Sequence, residues 1–231
     1  IDRYALNGVV IAPEQFDIVG RPQLEGVNEA SVKVSDVPRP TVLYAPTWEG
    51  MYTDSNYSSL PVGDKIVEDL LARNVRVIFR PHPYSYKSDI EIAHIKKVQQ
   101  VLERANAKQS SELHLYGESA ETARSLFDCF NESDVLVSDI SSVSADYLMS
   151  QKPMVIYNYL GDTERFMKNF PIATFAYVVN TDLSNLQSTL QDILSVDSMA
   201  AVRVKGKAHV LGDFPAHEAV ERFVAAIKKC L

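Results

Sequence analysis

From residue 41 onward the sequence predicts a doubly wound α/β domain, with a parallel sheet covered by helices on both faces. Three observations carry that prediction. Short β-branched runs recur along the chain, amphipathic helical patterns separate them, and several of the runs are continuously apolar, as strands buried on both faces are. With 231 residues, 46% of them hydrophobic, the chain can bury a full core.

The elements follow in order. Residues 41–45 (TVLYA) read as the first strand. A helix follows from about Asp64, a good N-cap, with Ile66, Val67, Leu70 and Leu71 on one face. Residues 75–79 form the next strand. Ser88 and Glu91 have the spacing of a capping box, and Ile92, Ile95, Val98 and Leu102 recur at helical intervals behind them. A strand over 113–116, a helix over 122–130, a strand over 135–137 and a helix from about Ser142 come next. Strands over 154–157 and 176–179 precede helices near 183–194 and 217–229, the last with Val220, Phe223, Val224 and Ile227 on one face.

Residues 1–37 fit this pattern poorly. GVVIAP and FDIVGRP read as two strands joined by a turn, and SDVPRP as a linker. The expected organisation is therefore the tail of a preceding domain plus linker over 1–37 and a Rossmann-like domain over 38–231. A chain that opens on Ile1 is expected to be a piece of a longer one.

A net charge of −7 argues against a general nucleic-acid partner, whose footprint would be basic. No apolar run reaches the ~18 residues that span a bilayer. Cys129 and Cys230 give neither a disulfide framework nor metal-ligand spacing, which fits a reducing cytoplasm. The Asn56 and Asn131 sequons are then silent.

In open parallel sheets, ligands sit beyond the carboxyl ends of the strands. Three strand ends here carry unusual residues: Thr47-Trp48-Glu49-Gly50, Arg80-Pro81-His82-Pro83 and Ser138-Asp139-Ile140-Ser141-Ser142. If those strands are neighbours, all three ends face one crevice. Ser141 and Ser142 stand where a helix begins, and unpaired N–H groups and the helix dipole favour an anion there. The same pattern also fits Asp139 or Ser141 acting as a plain helix cap. The chain has nine glycines and neither G-x-G-x-x-G nor G-x-x-x-x-G-K-[ST], so a phosphate site would use side chains and a helix start.

His82 stands between two prolines on a turn whose backbone they stiffen, which holds the imidazole in one place. Beside a diphosphate its cationic form would be favoured. His94, His114, His209 and His217 fall within predicted helices or strands and read as structural. No G-x-S-x-G elbow and no zinc-type cluster occur, and nothing calls for a metal or cofactor.

Together these motifs resemble the CDP-glycerol glycerophosphotransferase family, which includes the teichoic acid polymerases and primases. Four blocks match in order: GRPQLEG at 20–26, VLYAPTWEG at 42–50, RPHP at 80–83 and SDVLVSDISSVSADYLMSQKPMVIYN at 133–158. The resemblance implies a Rossmann-like second domain of a GT-B architecture. It implies His82 as the functional histidine of that domain, and Arg80, Asp139, Ser141, Ser142 and Thr47 as donor-binding residues. The implied donor is CDP-glycerol or a similar activated alcohol, and the acceptor a lipid-linked polymer at the inner face of the cell membrane. The family's Trp-His-Gly block has no counterpart here, so a first domain of the same chain is an expected partner. The segment GDTERFMKNFPIATF replaces the family's Arg-Gly-Phe-type segment, which leaves a GT-B glycosyltransferase or a non-catalytic nucleotide-binding module as alternatives.

Overall fold

Five parallel strands form the sheet: β1 (Thr41–Ala45), β2 (Arg76–Phe79), β3 (Val135–Ser138), β4 (Met154–Tyr157) and β5 (Tyr177–Val179). They lie in the order β2-β1-β3-β4-β5, every neighbouring pair parallel. The computed structural model describes Tyr4 and residues 7–109, 113–215 and 217–229; Cys230 lies outside them.

Strands β1, β3 and β4 are buried along their whole length, as continuously apolar runs demand. On one face Val42, Val77, Val137 and Val155 pack against Val67, Leu70, Val98 and Leu102 of the Gly63–Leu71 and Asp89–Asn106 helices. On the other, Leu43, Ile78, Leu136 and Ile156 meet Phe130, Tyr147 and Phe166. Leu70 is fully buried, so Leu70→Ala would cost about 2–5 kcal/mol.

Four sequence expectations need correction. The strand expected at 113–116 is a single parallel bridge from Leu115 to Ile78. Its extension is blocked because His114 Nδ1 accepts the Val77 N–H and Asn106 Oδ1 accepts the N–H groups of Leu113 and His114. Taken as a further edge, that bridge completes the 3-2-1-4-5-6 order of dinucleotide-binding sheets. The helix expected over 122–130 is two shorter ones, Glu118–Glu121 and Leu126–Glu132, the second capped by Ser125. The first helix begins at Gly63 after a 3-10 turn, with Asp64 inside its first turn instead of at the cap. A further helix, Ala200–Leu211, precedes the last, Glu218–Lys229.

The N-terminal segment is the fourth case. Among the described residues of 1–37 there is no strand, and 3-10 turns lie at Pro13–Gln15, Pro22–Leu24 and Val34–Asp36. Residues 20–34 are fastened to the rest of the fold. Leu24 and Val27 are buried, the Ala30 N–H donates to Ser150 O at 2.8 Å, and Arg21 pairs with Asp146 at 3.0 Å.

Candidate functional site

The strand order makes β2, β1 and β3 neighbours, so the three unusual strand ends do converge on one crevice. It lies where the sheet reverses direction between β1 and β3, the position at which doubly wound sheets bind ligands.

Asp139 leaves β3 at the floor of this crevice and is fully buried. Its Oδ2 accepts the Thr47 N–H at 2.8 Å and its Oδ1 the Ser59 N–H at 3.1 Å. One carboxyl thereby ties β3 to both ends of the long loop after β1. Ser59 Oγ lies 3.0 Å from the buried Tyr44 hydroxyl, and Ser58 Oγ donates to Thr47 O at 2.7 Å. Burial pushes Asp139 up to about 7, against the hydrogen bonds that hold it down. The loop turns at Gly50, where φ is +79° and a Cβ would fall 2.6 Å from Ser55 Oγ, so no other residue fits without a shift.

Arg80 leaves β2 beside it. Its Nη1 donates to the carbonyls of Ala120 and Arg124, so the guanidinium fastens the Glu118–Glu121 region to the sheet. The backbone also stays paired beyond the strands, with the Arg80 N–H donating to Tyr44 O at 2.9 Å and the His82 N–H to Pro46 O at 3.1 Å. His82 therefore stands on a turn fixed from both sides. Its Nδ1 accepts the Tyr84 N–H at 3.1 Å, capping the Pro83–Lys87 turn. In the neutral ring that bond puts the proton on Nε2. Burial lowers the His82 pKa, which favours the neutral imidazole in this structure. Trp48 stacks on the imidazole at 6.2 Å and 24°, and Tyr84 meets both rings edge-on at 5.2 and 5.3 Å.

Beyond Asp139, the helix Ser142–Tyr147 opens with Ser141 at the N-cap position. Neither serine makes the expected cap bond: Ser141 accepts none, and its buried Oγ has no partner among the described residues. Ser142 is exposed. The inner part of the turn is held by Ser144, whose Oγ donates to Asp139 O at 2.7 Å. Sequence reasoning placed Trp48 at this strand end without giving it a role, and it missed Ser59 and Tyr84 as parts of this site and the burial of Glu91. Trp48, the single tryptophan, immediately follows the Thr47 candidate; Ser59 and Glu91 reach the site only through tertiary contacts.

At the opposite end of the sheet, Asp134 accepts the Thr41 N–H at 2.7 Å, which places it with the structural residues as its position before β3 predicts. His114 is buried on the β2 backbone. No group of three or more metal-ligating side chains occurs among the described residues. Nor is any described helix long and apolar enough to cross a membrane.

A Rossmann-like α/β domain with its polar residues gathered at the switch point is the class that fold and site define. The particular family follows from comparison. Residues 29–227 match the model of the CDP-Glycerol:Poly(glycerophosphate) glycerophosphotransferase family, and the chain belongs to that family. It is 28% identical over 116 residues to the minor teichoic acid biosynthesis protein GgaB of Bacillus subtilis (strain 168), a match over 50% of this chain and 11% of GgaB. Among solved structures it is similar to the wall teichoic acid polymerase TagF, in the H444N form soaked with CDPG, at TM-score 0.53 and 16% identity, over 95% of this chain and 52% of that one. It is likewise similar to a UDP-N-acetylglucosamine 2-epimerase at TM-score 0.54 and 13% identity, over 97% and 54%. These likenesses show the fold, and the chain spans about half the length of the solved proteins it matches.

Proposed function

We propose that this domain binds the nucleotide-activated donor of a teichoic-acid-type glycerophosphotransferase, with CDP-glycerol as the donor. The observation that carries this reading is the pairing at one switch point of His82, which keeps Nε2 uncommitted, with the Ser141 and Ser142 hydroxyls that make no cap bond. The family match is consistent with it.

In this reading the diphosphate lies at the start of the Ser142–Tyr147 helix, where N–H groups and two hydroxyls favour an anion. An acceptor hydroxyl attacks the β-phosphorus, its bond to the bridging oxygen breaks, and CMP leaves while glycerol phosphate passes to the acceptor. A first domain of the GT-B kind supplies the base. His82 donates from Nε2 to the phosphate on which charge develops, an interaction strongest in the transition state. Asp139 and Arg80 serve the donor at one remove, by fixing the Thr47 loop and the Glu118–Glu121 region. Thr47 lines the crevice from β1. The lipid-linked acceptor places the enzyme at the inner membrane face.

Product analysis tests the reaction. Release of CMP is expected, whereas release of a nucleoside diphosphate would establish glycosyl transfer instead. On its own this chain is expected to bind donor and transfer little, because half of the cleft belongs to the other domain.

A further inference from the structure

Glu91 is a buried acid for which neither the fold nor the proposed reaction gives a reason. Its position three residues into the Asp89–Asn106 helix, behind Ser88, predicts a side chain that reaches back to the Ser88 N–H and closes a capping box. Only half of that box forms. Ser88 Oγ accepts the Glu91 N–H at 3.5 Å, while the Ser88 N–H donates to Ser85 O. The Glu91 carboxyl instead turns inward, leaves the residue 4% exposed, and has neither oxygen in a well-formed hydrogen bond among the described residues. The fully buried Ser85 hydroxyl is unpartnered as well. Buried polar groups in folded proteins are nearly always paired, so two such orphans under one crevice call for a cause.

The neighbours supply one. Ser85 belongs to the Pro83–Lys87 turn, and its N–H donates to His82 O at 2.9 Å. The Ser85 side chain and the Glu49 backbone adjoin the Glu91 carboxyl without a well-formed hydrogen bond to it, and Glu49 is the residue after Trp48. One side chain thus lies between the turn that carries His82 and the loop that carries the indole stacked on it. We propose that Glu91 is a positioning residue for His82, joining the Pro83–Lys87 turn to the Trp48–Glu49 loop so that the imidazole keeps its place against Trp48. Burial, with the negative Glu49 nearby, raises the Glu91 pKa, and Glu91 in turn raises that of Asp139. A carboxyl offers two acceptor oxygens, one for a serine hydroxyl and one for a backbone amide, which suits a link between the two segments. The inference rests on the proposed role of His82 for its catalytic consequence, though not for its geometry.

The test reads Trp48, the single tryptophan of the chain. A protonated imidazole quenches an indole stacked on it, so emission followed against pH reports the His82–Trp48 contact. His82→Asn removes that component and identifies it. Glu91→Leu is expected to abolish the quenching component. In a form that also carries the first domain, it is expected to lower kcat about tenfold with the donor KM little changed, as a displaced catalytic group does. Glu91→Gln, neutral and of equal reach, is expected to restore both. Should Glu91→Leu fail to fold, Ser85→Ala loosens the same bridge from the turn side and is expected to weaken the quenching. A folded Glu91→Leu, or a Ser85→Ala, with the wild-type quenching curve overturns the proposal. Because quenching needs no turnover, it reports on Glu91 even if the donor site is inactive or His82 is dispensable for transfer.

Discussion

On the β3 side of the crevice, Asp139 gives both carboxyl oxygens to backbone N–H groups, whereas the two serines after it give the backbone nothing through their side chains. On the β2 side Arg80 commits Nη1 to two carbonyls, and His82 gives the backbone one ring nitrogen. Each strand end therefore has a group tied to the backbone of neighbouring segments nearer the strand and groups with fewer such bonds farther out. The division has a physical origin. A polar group next to a buried strand must be paired or bear the desolvation cost, as the buried Ser141 Oγ does, while the exposed Ser142 can stay hydrated. Arg80 and Asp139, the charged residues of the two strand ends, are both bonded to the backbone of neighbouring segments.

Substitutions on the two classes should separate cleanly. The largest effect is expected at His82. In a form with both domains, His82→Ala should cost on the order of a hundredfold or more in kcat, with the melting temperature little changed. Near-normal turnover would return the histidine to the scaffold class.

Asp139 should show the opposite pattern, in stability. Its folded pKa, about 7, lies above the unfolded value, so its contribution is fully present below the unfolded value and is lost as pH rises through 7. Wild-type protein should lose about 2–3 kcal/mol relative to Asp139→Asn between pH 5 and pH 8 in urea unfolding. A flat difference between the two proteins would show that the carboxyl is not strained by burial.

Smaller effects are expected from Ser141→Ala with Ser142→Ala: about a tenfold loss of donor affinity, the scale of a charge-assisted hydrogen bond. Because neither hydroxyl makes a cap bond, stability should move by less than the ~1 kcal/mol of an ordinary cap. Arg80→Ala should have the mildest consequence for turnover, weakening donor binding through the loosened Glu118–Glu121 region.

The two classes also differ in how far the sequence reveals them. Apolar runs that become β1, β3 and β4 are local signals, and so the strands, their parallel pairing and the convergence of three strand ends are legible. His82 is legible because prolines on both sides announce a fixed turn. The roles of Arg80 and Asp139 are not, since their partners lie 40 or more residues away for Arg80 and 80 or more for Asp139. Glu91 follows a capping-box spacing, which is a local rule, yet its carboxyl turns inward and leaves the box half formed. The 113–116 segment fails as a strand for a similar reason, because Asn106 and His114 side chains occupy the hydrogen-bonding positions that a ladder would use.

The central claim is that the outer, uncommitted groups of this crevice hold a cytidine diphosphate donor. Calorimetric titration of the chain with CDP, UDP and ADP, repeated on the Ser141→Ala, Ser142→Ala double variant, tests it most directly. Preferential binding of CDP is expected, with about a tenfold weaker affinity in the double variant and an unchanged melting temperature. Equal affinity for all three nucleotides, or full CDP affinity in a folded double variant, would contradict it.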